Sequence, residues 1–223
     1  MKGPAFASRR PLSRRAAADQ IADSIRISIL RGELAAGSPL RESEIAAAFG
    51  VARNTVREAL RLLGQHGLTS HEVHRGVAVR RFTSEEVREV FDVRLIIEAA
   101  SARRVGTLTA EEVARLESVL EASEAAARVD DFVEVLSQNL EFHRALVALL
   151  GNSRLDRTFG QIAAEITLML VSLDRDVAGP WMGRNRKLLE LLQRGDEAEF
   201  SDELRRYLEL SRDDVLNRVA PAG

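Results

Sequence analysis

Residues 52–60, Ala52-Arg53-Asn54-Thr55-Val56-Arg57-Glu58-Ala59-Leu60, read as the start of a helix with two unlike faces. Val56, Leu60 and Leu63 recur at helical spacing on an apolar side that runs to Leu63. Arg53, Asn54, Thr55 and Arg57 crowd the first turn with short polar and cationic groups. A helix lying in the ~12 Å major groove of DNA reads bases with such a first turn. Arg53 can present two parallel donors to guanine, Asn54 and Thr55 can reach bases or phosphates, and Arg57 stands one turn on. The plainer alternative is a solvated helix face carrying a few arginines, so the flanking sequence has to decide.

Upstream, Gly50-Val51 separates this segment from a second short helix over Glu42 to Phe49, with Ile45, Ala46 and Phe49 facing inward. Two short helices joined by a tight glycine-containing turn form the helix-turn-helix pattern. Residues 33–39 are a turn-rich connector. Before them, Ile21, Ile25, Ile29 and Leu30 mark a helix from Ala16 that Gly32 stops. Downstream of Gly67-Leu68, the segments Thr69 to Val73 and Val77 to Arg81 flank His74-Arg75-Gly76 as a β-hairpin, or wing. Residues 1–15 carry Lys2, Arg9, Arg10, Arg14 and Arg15, two prolines and no acid. They read as a flexible basic arm, either simply solvated or laid along DNA.

Beyond Phe82 strand signals vanish. Thr83-Ser84-Glu85-Glu86 and Thr109-Ala110-Glu111-Glu112 are capping boxes, in which a hydroxyl and a carboxylate satisfy the free N–H groups of a helix start. Helices are expected near 84–105, 109–127, 131–150, 153–177, 183–194 and 197–218, broken at glycine-containing pairs such as Gly151-Asn152 and Gly179-Pro180. Short connections between six helices imply an antiparallel bundle. The expected fold is therefore mainly α: a winged helix-turn-helix over 16–81 and an all-helical domain over 83–218.

Charge follows the same division. Residues 1–81 hold 14 basic and 7 acidic side chains, while the remainder is acidic by 9. Such asymmetry points to a nucleic-acid-facing part joined to an acidic one. With 45% hydrophobic and 30% charged residues the chain is not disordered throughout. The lack of cysteine excludes disulfides, thiolate zinc sites and a cysteine nucleophile. The longest apolar runs, such as the six residues 145–150, fall far short of the ~20 that span a bilayer. The basic N-terminus has no apolar core of a secretory signal. A soluble, cytoplasmic protein without membrane contact is expected.

The N-terminal part resembles the winged helix-turn-helix domain of the GntR family of bacterial transcriptional regulators. The resemblance rests on 30–34 (Leu-Arg-Gly-Glu-Leu), Gly37, Leu40-Arg41-Glu42, Ile45-Ala46, Phe49-Gly50-Val51, the run from Arg53 to Leu60, Gly67-Leu68 and Arg75-Gly76-Val77. It implies that Arg53, Asn54, Thr55, Arg57, Arg75 and Gly76 touch double-stranded operator DNA. Ala52 departs from the family's usual Ser or Thr, which costs one phosphate contact of ~1 kcal/mol but no base reading. Residues 83–218 are similar to the FCD effector-binding bundle of the FadR-type subgroup, through Phe91-Asp92-Val93-Arg94-Leu95, Glu98, Phe142-His143-Arg144 and Gly195-Asp196.

That bundle usually holds a divalent metal between one Asp and three His. The corresponding positions here carry Asn139, His143, Asn185 and Tyr207, so only the imidazole of His143 remains and no metal or other cofactor is expected. A lone inward histidine reads more simply as a hydrogen-bonded pocket residue. Arg94 and Glu98, four apart on a strongly apolar helix, read either as a local ion pair or as a buried guanidinium awaiting an effector carboxylate. Asn139, His143, Asn185 and Tyr207 would then bond the rest of a small organic acid. The expectation is a homodimeric, effector-responsive regulator, a repressor by resemblance, on a palindromic operator, and not an enzyme. Two alternatives are an enzyme using His143 as a general base and a ligand-independent architectural DNA binder.

Overall fold

The computed structural model describes residues 13–72, 76–171 and 178–218. The first helix, α1, runs Ser13–Leu30 and buries Ala18, Ile21, Ile25 and Ile29. It therefore takes in the last three residues of the expected arm; the rest of that arm lies outside the described residues. α2 (Glu42–Phe49) ends at Gly50, whose φ of 64° lets its N–H turn back onto the carbonyls of the final turn. α3 (Arg53–Gln65) buries Val56, Ala59, Leu60 and Leu63 against α1. The strands β1 (Thr69–Glu72) and β2 (Gly76–Val79) pair antiparallel, with Thr69 opposite Val79 and Glu72 opposite Gly76. Residues 37–40 join their edge: Gly37 donates to the Val79 carbonyl at 2.8 Å and Leu40 to Val77 at 2.8 Å. Gly37 has φ of 81°, a left-handed conformation that favours glycine at this approach.

Phe49 corrects the expected inward set: it is 45% exposed, while Ala46 alone of α2 is buried. A helix of eight residues gives the core one narrow stripe, and Phe49 falls beyond its edge.

The second layer is helical throughout. It comprises α4 (Ser84–Ala99) with a 3₁₀ turn over Ala100–Arg104, α5 (Ala110–Arg128), α6 (Phe132–Ala148), α7 (Ser153–Leu170), α8 (Ala178–Arg194) and α9 (Glu197–Leu216). Both expected capping boxes form: Thr83 and Glu86 cap each other's backbone, as do Thr109 and Glu112. Gly179-Pro180 is no break. Helix α8 starts at Ala178, and a proline in a first turn gives up an N–H that has no helical acceptor there. Helix α7 ends at Leu170; most of its expected continuation to 177 lies outside the described residues.

The bundle core is one cluster running through Phe91, Leu136, Phe142, Leu188, Phe200 and Tyr207. It meets the N-terminal core along α7: Leu168, 4% exposed, belongs with Ile21, Ile25 and Val56, while its neighbours Ile166 and Met169 belong to the bundle. Arg80, just after β2, ties the seam by pairing with Glu86 of α4 at 2.9 Å and Glu165 of α7 at 3.1 Å. No described helix is long and apolar enough to cross a membrane.

Candidate functional site

Two groups of polar side chains need explaining, one on the surface and one at the centre of the bundle. On the surface, α3 begins with Arg53 and Asn54 exposed. Ala52 occupies its N-cap position and supplies no side-chain cap, so the first-turn N–H groups keep no local hydroxyl partner. Arg57 is exposed but braced: its Nε donates to both Glu42 oxygens at 2.9 Å, linking α2 and α3. Thr55, by contrast, is only 7% exposed, because it lies on the side of α3 that carries Val56 and Ala59. Arg57, Arg61 and His71 line the cleft between α3 and the hairpin. Gly76 is exposed with φ of 82°, and Arg75 lies outside the described residues.

At the centre of the bundle, four helices send polar groups to one spot. Arg94 and Glu98 come from α4, Asn139 and His143 from α6, Asn185 from α8 and Tyr207 from α9, all 3% exposed or less. The Arg94 Nε donates to Glu98 Oε1 at 2.6 Å, and His143 Nδ1 meets Glu98 Oε2 at 2.5 Å. Asn139 Oδ1 accepts from Asn185 Nδ2 at 2.8 Å and from the Tyr207 hydroxyl at 2.9 Å. The His143 and Tyr207 rings stack at 4.9 Å, nearly parallel, and the Arg94 guanidinium lies 5.9 Å from the Tyr207 ring centre. All six candidate effector residues thus come together.

The electrostatics follow from burial and pairing. Burial alone would raise the Glu98 carboxyl, but the Arg94 charge and then His143 outweigh it and hold Glu98 below the usual carboxylate range. Burial lowers His143, and Arg94 adds to this while Glu98 opposes it, so the imidazole is neutral with its proton on Nδ1 toward Glu98. Burial raises the Tyr207 phenol, which stays protonated and donates.

Both depressed values have a consequence for acid stability. The unfolded chain protonates His143 near pH ~6.5 whereas the folded chain resists, so stability falls as pH drops below that value. Glu98 adds a second loss as pH falls further, through the carboxylate range toward its lowered folded value. Urea midpoints of the full chain between pH 8 and 5 should therefore decline, and His143→Gln should flatten the decline between about pH 7 and 5. An unchanged slope in that variant would exclude His143 as its source.

The arrangement leaves much undone. Both terminal nitrogens of Arg94, Asn139 Nδ2, His143 Nε2, Asn185 Oδ1 and Ser211 Oγ are buried and have no partner. Buried polar atoms in folded proteins are nearly always satisfied, so a cluster of orphans calls for a partner such as ordered water or a bound molecule. Ser211, one turn beyond Tyr207 on α9, was not signalled by any motif; its helical spacing from Tyr207 was the available clue. Ser101, which donates to the Glu98 carbonyl at 2.6 Å, was likewise missed.

Residues 17–79 match the model of the gntR family of bacterial regulatory proteins, and residues 89–210 match that of the FCD domain. The chain belongs to the GntR family, in its FCD-containing branch. The crystal structure of "a putative transcriptional regulator GntR from Rhodococcus sp. RHA1" superposes with a TM-score of 0.81 at 29% identity, over 91% of this chain and 98% of that one. The probable D-xylose utilization operon transcriptional repressor of Paenarthrobacter nicotinovorans is 28% identical over 85% of this chain and 84% of its own length. The gluconate operon transcriptional repressor of Bacillus licheniformis is 32% identical, but over 64% of this chain and 58% of its own length. This GntR-family chain is a transcriptional regulator and not an enzyme.

The metal implied by an FCD bundle does not fit these residues. Asn139 offers an uncharged oxygen already accepting two hydrogen bonds, Asn185 a second amide, and Tyr207 a protonated phenol. Nowhere among the described residues do three His, Asp or Glu side chains gather to hold an ion.

Proposed function

We propose that this GntR-family protein is a homodimeric repressor whose grip on a palindromic operator is set by a small organic acid bound at Arg94. The observation that carries the reading is the buried Arg94 guanidinium, whose Nη1 and Nη2 make no hydrogen bond of good geometry although the Tyr207 hydroxyl lies close by. A guanidinium fork with its Nε already fixed by Glu98 is preorganised for a carboxylate. Asn139, His143, Asn185 and Tyr207 surround it with further hydrogen-bonding groups. The apolar side chains of Val93 and Ile96, exposed on α4, suit contact between two copies. Effector binding shifts the balance between dimer arrangements that do and do not span both half-sites. Control of carbon-source operons is named for both relatives above, and an acid from such metabolism fits the charge of the site.

The test uses DNA from the region upstream of the protein's own gene, with binding followed by fluorescence anisotropy and a panel of organic acids added in turn. An acid that releases the parent protein from DNA, and leaves Arg94→Lys bound, supports the reading. Indifference of the parent to every acid, with no small molecule retained through purification, would favour the ligand-independent architectural alternative.

Arg53 and Asn54 are the exposed base-reading candidates, with Arg57 braced toward a phosphate beside them. Replacing Arg53 with alanine is expected to weaken operator binding by ~1–3 kcal/mol and to relax discrimination at one base pair. Equal affinities of variant and parent over a set of single-base operator variants would remove Arg53 from base reading.

A further inference from the structure

The centre of the bundle has a division of labour that the family's usual chemistry does not require. Asn139 Oδ1, the atom at the position of the missing metal-binding carboxylate, is saturated by Asn185 at 2.8 Å and Tyr207 at 2.9 Å. Two hydrogen bonds between neutral groups thereby join α6, α8 and α9, the helices that a cation would otherwise clamp. The remaining free atoms are of two kinds, apart from the Ser211 hydroxyl, which can both donate and accept. Arg94 Nη1, Arg94 Nη2 and Asn139 Nδ2 can only donate, whereas Asn185 Oδ1 can only accept. His143 Nε2 is also an acceptor, since the ring proton is engaged by Glu98 through Nδ1.

A plain carboxylate satisfies the donors and leaves both acceptors buried without a partner. A carboxylate with a neighbouring hydroxyl satisfies both kinds, because the hydroxyl can donate to His143 or Asn185 while accepting from Asn139. A site built to bond a hydroxyl discriminates strongly against the analogue that lacks it.

We propose that the bundle of this chain is a cation-independent site for a hydroxycarboxylate: the Asn139–Asn185–Tyr207 knot replaces the metal, Arg94 takes the carboxylate, and His143 with Asn185 takes the adjacent hydroxyl. This rests on the reading of Arg94 as an effector anchor. The ligand is held by protein groups alone, so its binding does not depend on metal supply.

The experiment titrates full-length protein, dialysed against EDTA, with matched acids of equal carbon number: L-lactate against propionate, and D-gluconate against hexanoate. Calorimetry is run with and without added zinc or manganese. The expected result is that one hydroxy acid binds the chelated protein at least tenfold tighter than its deoxy partner, with no gain from added metal. Binding that vanishes on chelation and returns with zinc overturns the cation-free site. Equal affinity for a hydroxy acid and its deoxy partner overturns the hydroxyl assignment while leaving Arg94 as a carboxylate anchor. Failure of all four acids to bind overturns the hydroxycarboxylate site together with that anchor.

Elemental analysis supplies a second readout that does not depend on the acid chosen. Parent protein purified without chelator should hold far less than one metal per protomer. The combined variant Asn139→Asp, Asn185→His and Tyr207→His should take up stoichiometric zinc, which the parent refuses. Stoichiometric metal in the parent that His143→Ala removes, or a folded triple variant that still takes none, counts against the knot as the metal's replacement.

Discussion

Replacing Arg94 with methionine is expected to lower the unfolding free energy of the chain by about 3–5 kcal/mol, the usual loss when one partner of a buried ion pair is removed. Arg94 and Glu98 are both fully buried, and among the described residues Arg94 and His143 are the groups paired with the two Glu98 oxygens. With the guanidinium gone, an ionised carboxylate would face a single imidazole that burial keeps neutral. The protein would have to protonate Glu98 or charge His143, and either costs free energy at neutral pH. Urea denaturation followed by circular dichroism measures the loss. Arg94→Lys separates the structural duty from the binding one. An ammonium preserves the charge beside Glu98 but lacks the fork, so it should recover much of the stability while the response to acids stays lost. A methionine variant as stable as the parent would show that the pair contributes no net stabilisation.

The second large effect is expected at Leu168. This side chain leaves the bundle on α7 and completes the core of the N-terminal domain with Ile21, Ile25 and Val56. Truncating it to alanine should cost about 2–5 kcal/mol, the range for a buried leucine. The loss should fall mainly on the N-terminal domain, since Ile166 and Met169 keep the bundle side of the helix filled. Hydrogen exchange of α1 and α3 should accelerate while that of α6 and α9 is unaltered. Acid binding should survive, but its effect on operator affinity should shrink, because the seam between the two cores would be slack. Uniform loosening of both domains would instead show that they unfold as one unit.

The elements themselves were largely legible in the sequence because their signals are local. A hydroxyl three residues before a carboxylate at 83–86 and 109–112, and a left-handed glycine at 50, act within a single turn of chain. Readings failed where a longer-range fact decided the outcome. Gly179-Pro180 carries the same residues whether it ends one helix or begins another, and only the placement of α8 selects the second. Thr55 and Phe49 lie at the margins of amphipathic stripes, where the angle between helices determines which is covered. The polar centre shows the same limit. The i,i+4 spacing of Arg94 and Glu98 suits a surface pair as well as a buried one, and burial came from α6 and α9 closing over them. That Glu98 also meets His143, 45 residues away, had no signal in the sequence. Resemblance alone indicated that Asn139, Asn185 and Tyr207 converge, and their hydrogen bonds agree with that alignment.

Arg80 has a practical consequence for anyone who would exchange parts between regulators of this kind. Its guanidinium joins Glu86 and Glu165, which lie 79 residues apart in sequence but on the same side of the seam. Cutting between the wing and α4 to graft a foreign sensing bundle would keep the arginine and discard both carboxylates. It would also discard Leu168, leaving a gap in the head that remains. A working chimaera therefore needs the far end of α7 redesigned to match the recipient head, with an acid at 165 and a bulky apolar residue at 168. The natural unit of exchange in this protein is a surface made of distant segments, and a single crossover point in the gene does not capture it.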